Sequence, residues 1–245
     1  MLLEYLCPCW DVHPRVRALV TTRLGGVSRG AYADLNVGLH VGDDAAAVRE
    51  NRARLERASA PCFFIDQVHG ATVVEARGKC RGTVPVADAL WTCEPNLAIS
   101  VLTADCFSVM LADTSGTSVG IAHCGWRPLA AGVLPNLVSA MPAAVSDLRA
   151  WIGPGISVRH YEVGEVLLET MRASCSVSLL DGVICTRKQC TYADLERLIR
   201  NHLAQLGIAC SPELPPCTFS DQRFFSHRRD GPMTGRFASL VWIAA

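Results

Sequence analysis

Three residues have the types to hold a metal or attack an electrophile, and each stands beside an apolar run. His69 falls near the end of "CFFIDQVHG", Cys106 follows "LAISVLTAD", and His123 lies in "TSVGIAHCG". Two imidazoles and a thiolate suit a catalytic zinc site, which takes three protein ligands and keeps a fourth position for water or substrate. Side chains at strand ends project from a rigid scaffold, so their placement favours a site. They are too far apart in sequence for a local ligand motif, and seven His with twelve Cys offer many such triples. Cys106 therefore keeps three readings: metal ligand, thiolate nucleophile with His69 or His123 as base, or small buried hydrophobe. Strand alternation points Asp105 to the opposite face and turns Cys124 away from the face His123 uses. A structural metal would need a fourth protein ligand, for which Cys124 and His40 are the candidates.

The elements that must carry these residues are short. "RALVTTR" reads as a strand, followed by "LGGVSRGAYADLNVGLHVGD", a loop of the length that is often functional. "DDAAAVRENRARLERAS" reads as an amphipathic helix with an acidic start. "CFFIDQVHG" and "TVVEAR" read as two strands joined by a tight turn at Gly70-Ala71. "LAISVLTAD", "SVMLAD" and "TSVGIAHCG" suit strands buried on both faces. In "WRPLAAGVLPNLVSAM" Pro128 fits a first turn, whereas Pro135 would kink or end a helix crossing it, so an interrupted helix is expected. "WIGPGIS" reads as strand and turn. "VGEVLLETMRAS" and "TYADLERLIRNHLAQLG" read as helices, the second with Thr191 as N-cap and Gly207 as stop. "RFASLVWIA" closes the chain as an apolar strand. This irregular order predicts a mixed α/β (α+β) fold: one layered domain over 1–245, with largely buried mixed sheets flanked by helices and 1–16 as an N-terminal extension.

Half of the 245 residues are apolar, enough to bury a sizeable core. The net charge is zero, so no global basic field argues for nucleic acid or an anionic membrane, and the expected partners are small molecules. Among 23 basic residues only Lys79 and Lys188 are lysines, so a lone Arg is weak evidence for an anion site. Twelve cysteines fall below the density of a disulfide scaffold, and no CxxC pair occurs. Glu4 interrupts what would be the apolar core of a signal peptide, and no 18-residue apolar run follows, so a cytoplasmic, reduced setting is expected.

Seven ordered segments, "TTRLGGVSRGAYADLNVGLHVGDD", "QVHG", "ADALWT", "TADCFSVMLAD", "GIAHCGWR", "IGPGI…YEVG" and "FFSHRRDG…TGR", resemble those of the laccase-domain proteins, from about residue 20 to residue 242. The resemblance implies a metal site of His69, Cys106 and His123 holding Zn2+, with Cu2+ as the alternative. It also implies a layered α/β fold. Its implied activities are phosphorolysis of adenosine, inosine and methylthioadenosine and deamination of adenosine, with purine nucleosides and phosphate as partners. A zinc-bound water with its pKa lowered toward ~7 could attack C6 of adenine, with Asp105 or Asp66 as proton carrier. For phosphate, arginine forks and backbone N–H groups point to Arg23 with the glycine-rich loop after it, Asn36, and Arg127. The chain departs from the family pattern at Pro128, where the family usually has Gly, and at Pro135, which interrupts the following helix; both are placed to reshape the backbone beside Arg127. Family alternatives are a peptidoglycan-precursor editing amidase and a copper-dependent polyphenol oxidase; a metal-stabilised interaction module is the non-enzymatic one.

Overall fold

The apolar runs become strands of two sheets laid face to face in the computed structural model, which describes residues 3–78 and 83–245. The first sheet runs β1 (Tyr5–Leu6), β2 (Val16–Thr21), β13 (Phe237–Ile243), β6 (Ala98–Thr103), β3 (Cys62–Phe63), with only the β3–β6 pair parallel. The second runs β12 (Ala209–Cys210), β9 (Leu148–Ile152), β7 (Phe107–Asp113), β8 (Val119–Cys124), β5 (Ala89–Thr92), β4 (Val73–Glu75), antiparallel except at its two edge pairs. A separate hairpin joins β10 (Ile184–Arg187) and β11 (Cys190–Ala193).

Residues alternate between faces along a strand, so each central strand serves two cores. Val20, Ile99, Val101, Met110, Ile121 and Val241 fill the layer between the sheets. Val109, Leu111, Ala122 and Cys124 turn the other way, onto α2 (Trp126–Ala130), α3 (Val133–Ala140), α4 (Glu165–Ser174) and α5 (Leu195–Leu206). Leu19, Ala98 and Leu240 cover the outer face of the first sheet against Leu55 of α1 (Ala45–Ala58). The result is a helix–sheet–sheet–helix sandwich, the mixed class read from the sequence. It explains why β6, β7 and β8 are buried at every position. Among the described residues no helix is long and apolar enough to cross a membrane.

Three local expectations are corrected. The segments around Phe63 and Val74 do not form a hairpin: β3 pairs with β6 in one sheet and β4 with β5 in the other. The intervening turn carries His69 between sheets, and long-range pairing overrides the local signal. Thr191 does not cap α5; it lies in β11, and the Asp194 side chain accepts from Arg197 N instead. The helix after Trp126 is interrupted as expected, but by Gly132 at φ 84, while Pro135 sits in the first turn of α3, where a missing N–H costs nothing. The segment 1–16 contributes an edge strand, β1, and Ser211 Oγ donates to Cys9 O at 3.0 Å.

Candidate metal centre and cleft

His69, Cys106 and His123 meet at one end of the layer between the sheets. Their ligand atoms all lie within 4.8 Å of one another. His123 is the penultimate residue of β8, on the face of Val119 and Ile121, while Cys124 turns into the helix-side core. Cys106 immediately precedes β7, in a tight connection where Asp105 adopts φ 95. The Asp105 carboxylate is held there by Thr218 Oγ1 and the Arg228 N–H, each donating at 2.6 Å. Both oxygens are thus engaged, and Asp66 is exposed outside the cleft lining. His69 lies in the loop after β3 at φ 60, with its ring edge-on to His123 at 4.8 Å between centroids.

Asp88, fully buried at the head of β5, ties the set together. Its carboxylate accepts from the backbone N–H groups of Val68, His69 and Gly70 at 3.2, 3.0 and 2.6 Å, and meets His123 Nδ1 at 2.9 Å. One carboxylate therefore shapes the His69 loop and reserves His123 Nε2 for the cluster, the carboxylate–histidine pairing that orients metal ligands. Burial opposes its charge, but the His123 and Gly70 hydrogen bonds prevail and hold its pKa below the ordinary range. Gly125 makes room for the thiol: a Cβ there would stand 2.8 Å from Cys106 Sγ and 3.6 Å from His69 Cδ2.

The electrostatics favour a thiolate. Burial alone would raise the Cys106 thiol, but the charge and hydrogen bond of His123, with the hydrogen bond of His69, bring it down to about 6. Burial would lower His123, and the Cys106 charge with the Asp88 hydrogen bond instead raises it to about 9. Two imidazoles facing a ready thiolate are a donor set that fits Zn2+ or Cu2+, so the residues present suit the metal the family implies. Cys124 points into the helix-side core, and His40 lines the same cleft without joining the three-atom cluster, so among the described residues the cluster has three donors.

The cluster opens into a cleft of about 420 Å³ with Leu102, Thr103, Ala104 and Ile156 along it, Trp126 and Tyr161 as aromatic walls, and Arg127, Arg228, Arg236, His40 and His227 as nearby bases. A hollow of about 830 Å³ elsewhere, between residues 9–11 and 209–213, is larger but holds none of the three donors. Arg127 lines the cleft with its guanidinium over the Trp126 ring at 4.2 Å. Arg23 is not in the lining; its Nε donates to Ala33 O at 2.8 Å and its guanidinium lies over Phe225. Asn36 is fully buried, accepting from the Gly38 and Arg236 N–H groups at 2.9 Å each. Gly26, in the same loop, packs where a Cβ would collide with Asp34 backbone, so this glycine serves close packing. Sequence reasoning passed over Asp88, Arg228 and Arg236, although the quoted "ADALWT" and "FFSHRRDG…TGR" contain all three.

Fold and site together define a two-sheet α+β protein with a His/Cys/His donor set that could hold a metal ion at the end of its inter-sheet layer. The chain belongs to the family described as multi-copper polyphenol oxidoreductase laccase, whose model matches residues 17–244. It is 44% identical over 241 residues to a purine nucleoside phosphorylase of Pseudomonas aeruginosa, covering 98% of each chain. It is 37% identical to purine nucleoside phosphorylase YfiH of Escherichia coli, covering 98% of this chain and 99% of that one. Among solved structures, a Neisseria meningitidis protein superposes with a TM-score of 0.90 at 36% identity, covering 98% of this chain and 99% of that one. YlmD from Geobacillus stearothermophilus superposes at 0.84 with 30% identity over 95% and 94% of the two chains.

Proposed function

We propose that this chain is a Zn2+-dependent purine nucleoside phosphorylase acting on adenosine, inosine and methylthioadenosine, and that it also deaminates adenosine to inosine. The observation that carries the reading is one cleft lined both by the His69–Cys106–His123 donor set and by Arg127, Arg228 and Arg236. The names of relatives matched over nearly their whole length support it. Bound zinc supplies Lewis acidity at the donor end of the cleft.

The chain's own residues account for the rest. Arginine forks suit a phosphate dianion. Arg127, Arg228 and Arg236 border the cleft; one guanidinium nitrogen of Arg228 donates to Glu162 O at 3.0 Å and one of Arg236 to Thr234 O and Gly235 O at 3.0 and 2.9 Å, which leaves their other nitrogens for an anion. In phosphorolysis a phosphate oxygen bonds to C1′, the C1′–N9 bond breaks, and the purine leaves with the electron pair and takes up a proton. Trp126 and Tyr161 offer aromatic faces to the purine. Burial pushes the Tyr161 hydroxyl further up, so it stays a neutral donor. In this reading Arg23 and Asn36 act at a distance, Asn36 by holding the backbone N–H of Arg236. Cu2+ would take the same three donors, but among the described residues no methionine lines the cleft to complete an electron-transfer copper, and Gln67 is occupied by the Leu102 backbone at 3.0 and 2.7 Å.

The test is to incubate zinc-loaded protein with adenosine, with and without phosphate. Adenine and ribose 1-phosphate are expected with phosphate, and inosine without it. No product above a Cys106→Ala control would overturn the reading. Metal analysis of the same pair separates the roles of Cys106, because a ligand variant loses zinc whereas a nucleophile variant keeps it.

A further inference from the structure

Buried polar groups in folded proteins are paired, so an exception asks for a partner. Among the described residues two buried side-chain polar atoms have none: His202 Nε2, on α5 and outside the cleft lining, and Thr103 Oγ1. Thr103 is 2% exposed, ends β6 three positions before Cys106, and lines the cleft. Alternation along β6 places it on the face of Ile99 and Val101, the inter-sheet layer whose open end forms the site.

Buried hydroxyls elsewhere in the sandwich find partners within the protein. Ser100 donates to Phe63 O at 3.0 Å, Ser108 to Ser239 at 2.8 Å, and Thr92 to Ala76 O at 2.7 Å. Nor does β6 itself require a hydroxyl, since Val has the same branched shape and at least equal strand preference. A hydroxyl both donates and accepts, which suits a ligand hydroxyl. The nucleosides of the proposed reaction differ at C6 of the base and at the 5′ position of the sugar. A group that serves all of them must read what they share, and their 2′- and 3′-hydroxyls are shared.

We infer that Thr103 is a substrate-recognition residue whose hydroxyl hydrogen-bonds a ribose 2′- or 3′-hydroxyl in the cleft; this assignment rests on the purine nucleoside reading. The test compares wild type, Thr103→Val and Thr103→Ser with adenosine, 2′-deoxyadenosine and 3′-deoxyadenosine, alongside thermal unfolding. Thr103→Val is expected to lower kcat/KM for adenosine about 10- to 100-fold, the equivalent of one lost buried hydrogen bond. Its melting temperature should hold or rise, because a methyl replaces an unpaired hydroxyl. Thr103→Ser should restore most of the rate, and the Val penalty should shrink on the deoxynucleoside that lacks the partner hydroxyl. Unchanged kinetics in Thr103→Val, an equal penalty on all three nucleosides, or a fall in melting temperature matching the loss of rate would each overturn the assignment. If the wild type turns over no nucleoside, the purine reading itself fails and takes this assignment with it.

Discussion

Asp88 links residues that the chain separates widely, since His123 stands 35 positions away from it. Replacing it with Asn leaves one carbonyl oxygen to do the work of two carboxylate oxygens on three N–H groups and an imidazole. Asp88→Asn is expected to weaken zinc binding by about 10- to 100-fold, measured by competition with a chromogenic chelator. An unchanged affinity would remove Asp88 from the site. Gly125 gives a second test, because its missing Cβ is the space that Cys106 Sγ uses. Gly125→Ala should retain its circular dichroism but lose zinc occupancy, whereas full occupancy would mean that the thiol has room to move. The three candidate ligands were nameable from the ordered motifs, but their chemistry alone left Cys106 open between ligand, nucleophile and core thiol. Asp88 carried no comparable signal: a lone acid in "ADALWT" becomes informative only once β5 lies beside β8.

At the scale of elements, backbone geometry decides what the proline pattern suggested. Pro128 and Pro135 both occupy first turns, and the break falls at Gly132, which adopts φ 84 with nothing within 4 Å of where a Cβ would stand. Gly132→Ala should therefore cost about 1–2 kcal/mol through the left-handed conformation alone. Denaturant unfolding reads that loss, and zinc affinity should not change; a neutral substitution would show that the turn relaxes. Periodicity made β6, β7, β8, α1 and α5 legible, since each has a sustained apolar pattern. It misjudged the pairing around His69 and placed the α5 cap at Thr191. Strand partners and the competition between Thr191 in β11 and Asp194 at the cap depend on chain that lies far away or folds back.

At the scale of the whole molecule, several carboxylates are held below their ordinary range, Asp88, Asp113, Asp221 and Asp230 among them. For Asp113 burial opposes the charge, and hydrogen bonds from Ser115, Ser118 and Thr117 overcome it. A depressed carboxylate stabilises the fold above its unfolded pKa, and that contribution fades as pH falls through the folded value. Stability should therefore drop below about pH 4, where unfolded aspartates take up protons. Thermal unfolding of chelator-treated Asp113→Asn should show a deficit at pH 7 that closes toward pH 2, and a constant deficit would exclude this origin. The sequence by itself determined the mixed class, the buried central strands and, through its ordered motifs, the family and the three donors that the structure brings together, because local periodicity and motif order need no partner. Only the tertiary structure decided that Asp88 binds two ligand segments together, that Arg228 and Arg236 rather than Arg23 and Asn36 border the cleft, and that Thr103 stands there unpaired. These are facts of proximity, created where two sheets built from distant segments close on each other.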